Sequence, residues 1–238
     1  MSSGRMAATR VGVLGSGEVG RCLAAGFAGR GHDVMVGSRE PSKPELGAWL
    51  SGDGAGVRSG TFAEAAEHGE LVVLSVLGSA AGQAIAQAGP DNFSGKVVID
   101  TMNPLDFSGG FPPKLSIAGE DSLGERVQAA LPDARVVKAF NIIGSPYFVD
   151  PSFGEGLPTM LIAGDDEDAK RVVGEVLADF GWPDPVDLGG IEGSHELEAI
   201  CIAWVKIGGA RGAWDHGFKL LVGAEPGRGG ASARHRRV

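Results

Sequence analysis

The sequence predicts an α/β fold built on a doubly wound, mostly parallel sheet, and three observations carry that expectation. Apolar runs of strand length recur along the chain, at 11–14, 33–37, 71–76, 96–100 and 135–140. Helix-like segments separate them, the alternation that parallel strands with crossover helices require. The first run passes directly into Gly15-Ser16-Gly17-Glu18-Val19-Gly20, three glycines at the spacing G-x-G-x-x-G. That spacing permits a tight strand-to-helix turn, close approach of the backbone to a pyrophosphate, and close packing of helix on strand.

The chain has 40 glycines, so the motif gains its meaning from context. Residues 18–28 read as a helix with Val19, Cys22, Leu23 and Phe27 along one side. Its N-terminus offers free N–H groups and the positive end of the helix dipole to an anion. A second strand, Asp33-Val34-Met35-Val36-Gly37, follows at the distance of a βαβ unit. The expectation is a Rossmann-like dinucleotide fold with Gly15, Ser16, Gly17, Glu18 and Val19 around the phosphates. At the end of the second strand, where NAD-binding chains place an acidic residue for the ribose 2′-hydroxyl, this chain has Ser38 and Arg39, with Lys43 nearby. A carboxylate there repels a 2′-phosphate, whereas a hydroxyl, a guanidinium and an ammonium bind it. The cofactor read from these residues is NADP(H).

The remaining elements follow in order. A short third strand is expected around Val57, and Thr61 and Glu64 have capping-box spacing at the start of a helix that ends near His68 and Gly69. Leu71-Val72-Val73-Leu74-Ser75-Val76 is the clearest strand, and the small residues Gly78-Ser79-Ala80-Ala81 after it let a cofactor pass close to the backbone. Lys96-Val97-Val98-Ile99-Asp100 is the fifth strand and leads to Asn103-Pro104, a turn signal at the carboxyl end of a strand, where open α/β sheets bind ligands. Residues 106–113 are irregular and suit a flap, and Ser122 with Glu125 caps a helix through Leu131. Arg135-Val136-Val137-Lys138-Ala139-Phe140 is the sixth strand, residues 159–163 the seventh and 185–188 the eighth, with a helix over 165–180 between the last two. The expected sheet therefore has about eight strands. From 194 to about 222 the pattern is helical, with Leu197, Ile200, Cys201, Trp204 and Ile207 on successive turns, the stripe of a core or a subunit interface.

Composition narrows the functional classes. The net charge of −9 is uneven: residues 1–10 carry +2, residues 223–238 carry +3, and the body between them is strongly acidic. An acidic body speaks against nucleic-acid binding. No apolar run approaches the ~18 residues of a membrane span, and the N-terminal residues lack the apolar region of a signal peptide. Cys22 and Cys201, the only cysteines, lie in apolar helical patterns and read as buried free thiols, which fits a reducing cytoplasm. No cysteine or histidine spacing suggests a metal site.

Read together, residues 11–20, residues 32–39 ending Gly37-Ser38-Arg39, then Lys138-Ala139-Phe140-Asn141 and Ala163-Gly164-Asp165-Asp166 resemble one family. It is that of the NADP oxidoreductases dependent on the deazaflavin coenzyme F420, with the related cytoplasmic reductase domain of the six-transmembrane metalloreductases. The likeness covers roughly residues 10–222. It implies a pyrophosphate over residues 15–19, a 2′-phosphate on Ser38, Arg39 and Lys43, and a nicotinamide near Leu77, Asn103 and Ala139. It further implies a hydride acceptor against the nicotinamide, deazaflavin or a flavin such as FMN or FAD, and a homodimer through the C-terminal helix. Where the deazaflavin enzymes tend to carry a histidine, this chain has Asn141, which matches the metalloreductase branch.

Hydride transfer between two planar rings needs stacking and exclusion of water more than a dedicated acid or base. His195, on the loop after the eighth strand, is the titratable group expected near the second ring, with Asn141 the other candidate catalytic residue; a helix-start role for His195 stands beside that reading. The expected organisation is a disordered N-terminus (1–9), an NADP-binding domain (10–192), a helical segment (193–222) packed on it or on a dimer partner, and a disordered basic tail (223–238). Two other functions fit the cofactor: a ferric or flavin reductase of the metalloreductase type, and a non-catalytic NADP(H) redox sensor. Hydroxyacid or pyrroline-carboxylate dehydrogenases share the nucleotide half but need a larger helical domain than the residues after Ser194 provide.

Overall fold

The computed structural model describes residues 6–154 and 156–223. In chain order its elements are β1 (Arg10–Leu14), α1 (Glu18–Gly29), β2 (Asp33–Gly37), α2 (Pro44–Leu50), β3 (Val57–Gly60), α3 (Phe62–His68), β4 (Leu71–Leu74), α4 (Ala81–Ala88) and β5 (Val97–Asp100). There follow β6 (Leu105–Asp106), β7 (Lys114–Leu115), α5 (Leu123–Ala130), β8 (Arg135–Lys138), β9 (Leu161–Ile162), α6 (Glu167–Asp179), β10 (Val186–Asp187) and α7 (Ser194–Arg211). The central sheet has the order β3-β2-β1-β4-β5-β8, and every pairing in it is parallel. This is a Rossmann-like, doubly wound α/β arrangement, with the order reversing between β1 and β4.

Strand periodicity divides the core into two layers. Val11 and Val13, Leu71 and Val73, and Val97 and Ile99 face one side, where α1, α2 and α6 cover them with Leu23, Phe27, Leu46, Val173 and Leu177. Leu14, Val72, Leu74, Val98 and Val136 face the other, under Ala65, Ile85, Ala88, Leu123 and Val127 of α3, α4 and α5. Strands buried on both faces read as unbroken apolar runs, which is why they were legible. Helix starts also match their sequence signals: the Thr61–Glu64 capping box forms, and Ser122 accepts from the Glu125 amide.

The expected eight-strand sheet is corrected to six strands. β9 and β10 pair with each other in a separate parallel pair, and the antiparallel bridge Lys138–Ala163 joins them to the β8 edge. Their extent is limited by the chain turning away on both sides: Phe140 takes a left-handed φ of 63° just after β8, and Gly189 takes φ 101° after β10. The irregular stretch after Pro104 contains a small hairpin, β6–β7. The C-terminal helix is also shorter than expected. It stops at Arg211 because Gly212 is left-handed, and Trp214 then folds back against Gly208. Residues 213–223 run without helix, with Thr159 donating to the Phe218 carbonyl.

Of the N-terminal stretch 1–9, Met6 packs against the core and Thr9 donates to Glu70, while 1–5 lie outside the described residues. The basic tail from residue 224 onward lies outside them as well. Among the described residues no helix is long and apolar enough to cross a membrane.

Candidate functional site

The carboxyl ends of β1, β2 and β4 enclose a cleft of about 470 Å³ at the point where strand order reverses. Its floor is the glycine turn. Gly15 has φ 129°, a conformation open to glycine, and its amide donates to the Gly37 carbonyl, tying the turn to β2. A side chain on Gly20 would collide with the Gly15 carbonyl oxygen, so glycine there brings α1 against the turn. Gly17 differs: a Cβ added to it meets nothing within 4 Å, because its Cα faces the open cleft. Among the described residues no side chain caps α1, which leaves its first-turn amides, next to that space, without a side-chain acceptor.

One wall is the loop after β2. Ser38, Arg39, Glu40 and Lys43 all line the cleft. Ser38 is buried, and its Oγ accepts from the Ser16 hydroxyl and the Glu40 amide. Neither Arg39 nor Lys43 enters an ion pair among the described residues, so both cations remain available. The facing wall is α4 with its N-cap Ala80, and Ala80, Gln83, Ala84 and Gln87 recur at helical spacing, with Phe62, Val76 and Leu77 between the walls.

Further along the same carboxyl edge, the loops after β5 and β8 carry an asparagine pair. Asn141 Nδ2 donates to Asn103 Oδ1 at 2.9 Å and to the Leu197 carbonyl at 2.9 Å, while Asn103 Nδ2 donates to the Asn141 carbonyl at 2.8 Å. Asn141 Oδ1 is buried and accepts no hydrogen bond. Between Ala139, fully buried, and Asn141 stands Phe140 in its left-handed conformation, wedged on Phe148 and Phe180. A bulky side chain at positive φ is strained, and the aromatic packing holds it. The consequence is a sharp change of direction that turns Asn141 toward α7.

At the last residues of β5 and β8, just before these loops, lies a buried ionic network. Lys138 Nζ is 3.0 Å from Asp100 Oδ2 and 2.8 Å from Glu198 Oε1, with all three side chains at most 1% exposed. The Met102 amide donates to Asp100, and the Leu123 and Gly124 amides at the start of α5 donate to Glu198. Desolvation alone would lower the Lys138 pKa, but the two carboxylates outweigh it and hold it above the usual lysine range. Nearby, burial pushes the Cys201 thiol up to about 12, so it stays neutral. Burial likewise raises Cys22 on α1.

The sequence-selected residues fall into four places. Gly15, Ser16, Gly17, Glu18, Val19, Ser38, Arg39, Lys43 and Leu77 share the cleft. Gly78 lies just past Leu77, packed against the Asn103 carbonyl, and lines a separate groove between α4 and α5. Asn103, Ala139 and Asn141 gather at the ends of β5 and β8. His195 is turned onto Glu125, Nε2 to Oε2 2.6 Å, and the contact from α7 to Asn141 is made by Leu197. Sequence reading passed over Glu40, the α4 face and the Lys138–Glu198 pairing. The spacing of Ala80, Gln83, Ala84 and Gln87 was a usable signal for the second; a contact across 60 residues leaves none.

The chain is similar to known proteins over this same region. A family model described as NADP oxidoreductase, coenzyme F420-dependent, matches residues 10–104. An F420-dependent NADP reductase of Methanothermobacter marburgensis is 32% identical over 200 residues, 80% of this chain and 88% of that protein. Metalloreductase STEAP3 of Rattus norvegicus is 32% identical over 194 residues, 81% of this chain but 36% of the relative, so the chain spans about a third of that protein. Among solved structures, a candidate F420-dependent NADP-reductase from Arthrobacter sp. FB24 superposes with TM-score 0.86 at 35% identity, covering 90% of this chain and all of that one.

Proposed function

Because the chain belongs to the family of F420-dependent NADP reductases and is an NADP-dependent oxidoreductase, we propose that it passes hydride between NADP(H) held in the cleft and a deazaflavin ring stacked at the Asn103–Asn141 end. The observation that carries this reading is the charge of the wall after β2: two unpaired cations and a buried hydroxyl, with no acid at the end of the strand itself. The residues fit the cofactor. The space over Gly17 is open, the α1 amides facing it are uncapped, and Asn141 Oδ1 is an acceptor in want of a donor.

Bound NADP(H) supplies the carbon that gives or takes hydride. The chain's part is to hold and to orient. The Glu18 and Val19 amides would hold the pyrophosphate through free N–H groups and the α1 dipole. Ser38, Arg39 and Lys43 would hold the 2′-phosphate, opposed by the carboxylate of Glu40 in the same wall. Asn103 and Asn141, locked to one another and to Leu197, present polar atoms to the ring without a proton to exchange, which suits a step that moves only hydride. Exposed Leu77 at the mouth supplies apolar cover. Half-exposed Phe111 and Trp214, both packed on the last turns of α7, give an apolar surface on which a second copy would dimerise.

A second acceptor class, ferric chelates or free flavin, is favoured by one feature: Asn141 stands where the deazaflavin enzymes tend to carry histidine. Steady-state oxidation of NADPH and NADH with F420, FMN, FAD and ferric citrate tests both readings. Turnover with F420 and NADPH supports the first, and turnover with flavin or ferric chelate alone supports the second. Equal use of NADH would overturn the NADP(H) assignment, and no turnover with any acceptor would leave a binding protein.

A further inference from the structure

The Asp100–Lys138–Glu198 network has no part in holding phosphate or stacking a ring, yet each of its members lies within a few residues of the asparagine pair or of Leu197, which fixes it. Lys138 is one residue before Ala139 and three before Asn141; Asp100 is three before Asn103; Glu198 follows Leu197, whose carbonyl fixes Asn141. Every hydrogen bond that the two carboxylates make comes from a donor: the Lys138 ammonium and the amides of Met102, Leu123 and Gly124. A protonated carboxyl would need an acceptor, and none is paired with either. Two anions and one cation leave a single net negative charge, nearly sealed from solvent. Cys201 beside it is neutral. The adjoining titratable pair, His195 and Glu125, is more exposed and lies over the start of α5.

Hydride donation breaks the C4–H bond of a dihydronicotinamide, sends its electron pair to the acceptor ring with the hydrogen, and leaves the nicotinamide with one positive charge. A fixed negative charge below the ring favours that product over the neutral reactant. We propose that the buried Asp100–Lys138–Glu198 network is an electrostatic counter-charge that favours the oxidised, cationic nicotinamide beside the Asn103–Asn141 pair and so makes bound NADPH a stronger hydride donor. The proposal rests on the reading that NADP(H) lies in the cleft with its nicotinamide reaching that pair. Its size is set by one unit of charge acting through an effective dielectric constant of about 20, worth roughly tenfold in affinity at a separation of about 12 Å.

The test compares affinities of the full chain for NADP⁺ and NADPH by calorimetry, so it needs no acceptor and no turnover. Glu198→Gln keeps the shape and the oxygen acceptor but removes the charge; Asp100→Asn removes it from the other arm and serves where the first variant does not fold. Each should weaken NADP⁺ relative to NADPH by roughly tenfold, about 30 mV for a two-electron couple, while Glu198→Asp, which retains the charge, should hold the wild-type ratio. Circular dichroism establishes that each variant is folded. Equal weakening of both forms, or an unchanged ratio in a folded neutral variant, overturns the proposal and leaves the network a structural clamp. Failure of the wild type to bind either form is a different result, which defeats the cleft reading itself.

Discussion

Gly17 and Gly20 stand three residues apart in one turn, and a methyl group at each meets opposite surroundings. At Gly20 it strikes the Gly15 carbonyl oxygen, so Gly20→Ala should destabilise the fold by about 1–3 kcal/mol, read as a lowered urea midpoint. At Gly17 it meets open space, and φ −77° suits alanine. Gly17→Ala should therefore keep wild-type stability and weaken NADPH by roughly tenfold or more, because the methyl occupies the space a phosphate needs. Equal stability losses in the two variants would refute the phosphate role of Gly17. Arg39→Asp should cost about 1.5–3 kcal/mol of NADPH binding and leave NADH binding unaltered or improved, measured by paired titrations. These residues were legible because their chemistry is local: a turn that only glycine can make, and a cation where an acid is otherwise needed. Glu40 was not, since nothing in the order Ser38-Arg39-Glu40 says which side chains share a wall.

At the scale of elements, β8 and the turn after it are keyed to α7 at two points, Lys138 to Glu198 and Asn141 to the Leu197 carbonyl. Removing a partner from a buried ion pair strands the other charge, so Lys138→Met should destabilise by about 3–5 kcal/mol. The pH dependence has a definite sign. Lys138 has a folded pKa above its unfolded value, so the stability it contributes is fully present below the unfolded value, ~10.4, and is lost as pH rises through the folded one. Denaturant midpoints from pH 9 to 11.5 should fall more steeply for wild type than for Lys138→Met; parallel curves would mean that the ammonium is not the group responsible. The individual strands and helix caps of this region were readable from period and capping residues. The keying was not, because a lysine ending one apolar strand and a glutamate in one apolar helix each read as an ordinary interruption. The same blindness to long-range pairing produced eight strands in place of six, since apolar runs announce strands but not the edge on which they pair.

For the whole molecule, the question is whether the segment after β8 is a second domain. The packing says it is continuous with the first. Phe148, Met160, Ile162, Val173, Phe180 and Trp182 belong to the same buried layer as Val11, Phe27 and Val34, and Trp182 Nε1 donates to the Phe148 carbonyl inside it. The ends of this layer are pinned by Arg30, just past α1, which bonds the Asp179 carbonyl at the end of α6 and lies over the Phe180 ring. A core shared in this way melts as one unit, so calorimetry should give a single transition with equal calorimetric and van't Hoff enthalpies. Because the cleft lies at the centre of that unit, NADPH should raise the whole transition rather than part of it. At a hundredfold excess over Kd the gain is about 2.7 kcal/mol, or roughly 5–10 °C for a chain of this length. Two transitions, of which only the lower-numbered half responds to NADPH, would show instead that the C-terminal elements fold apart from the nucleotide site; Asn141 and Leu197 would then meet across a boundary that opens, and the acceptor end of the cleft would have to be assembled anew at each encounter.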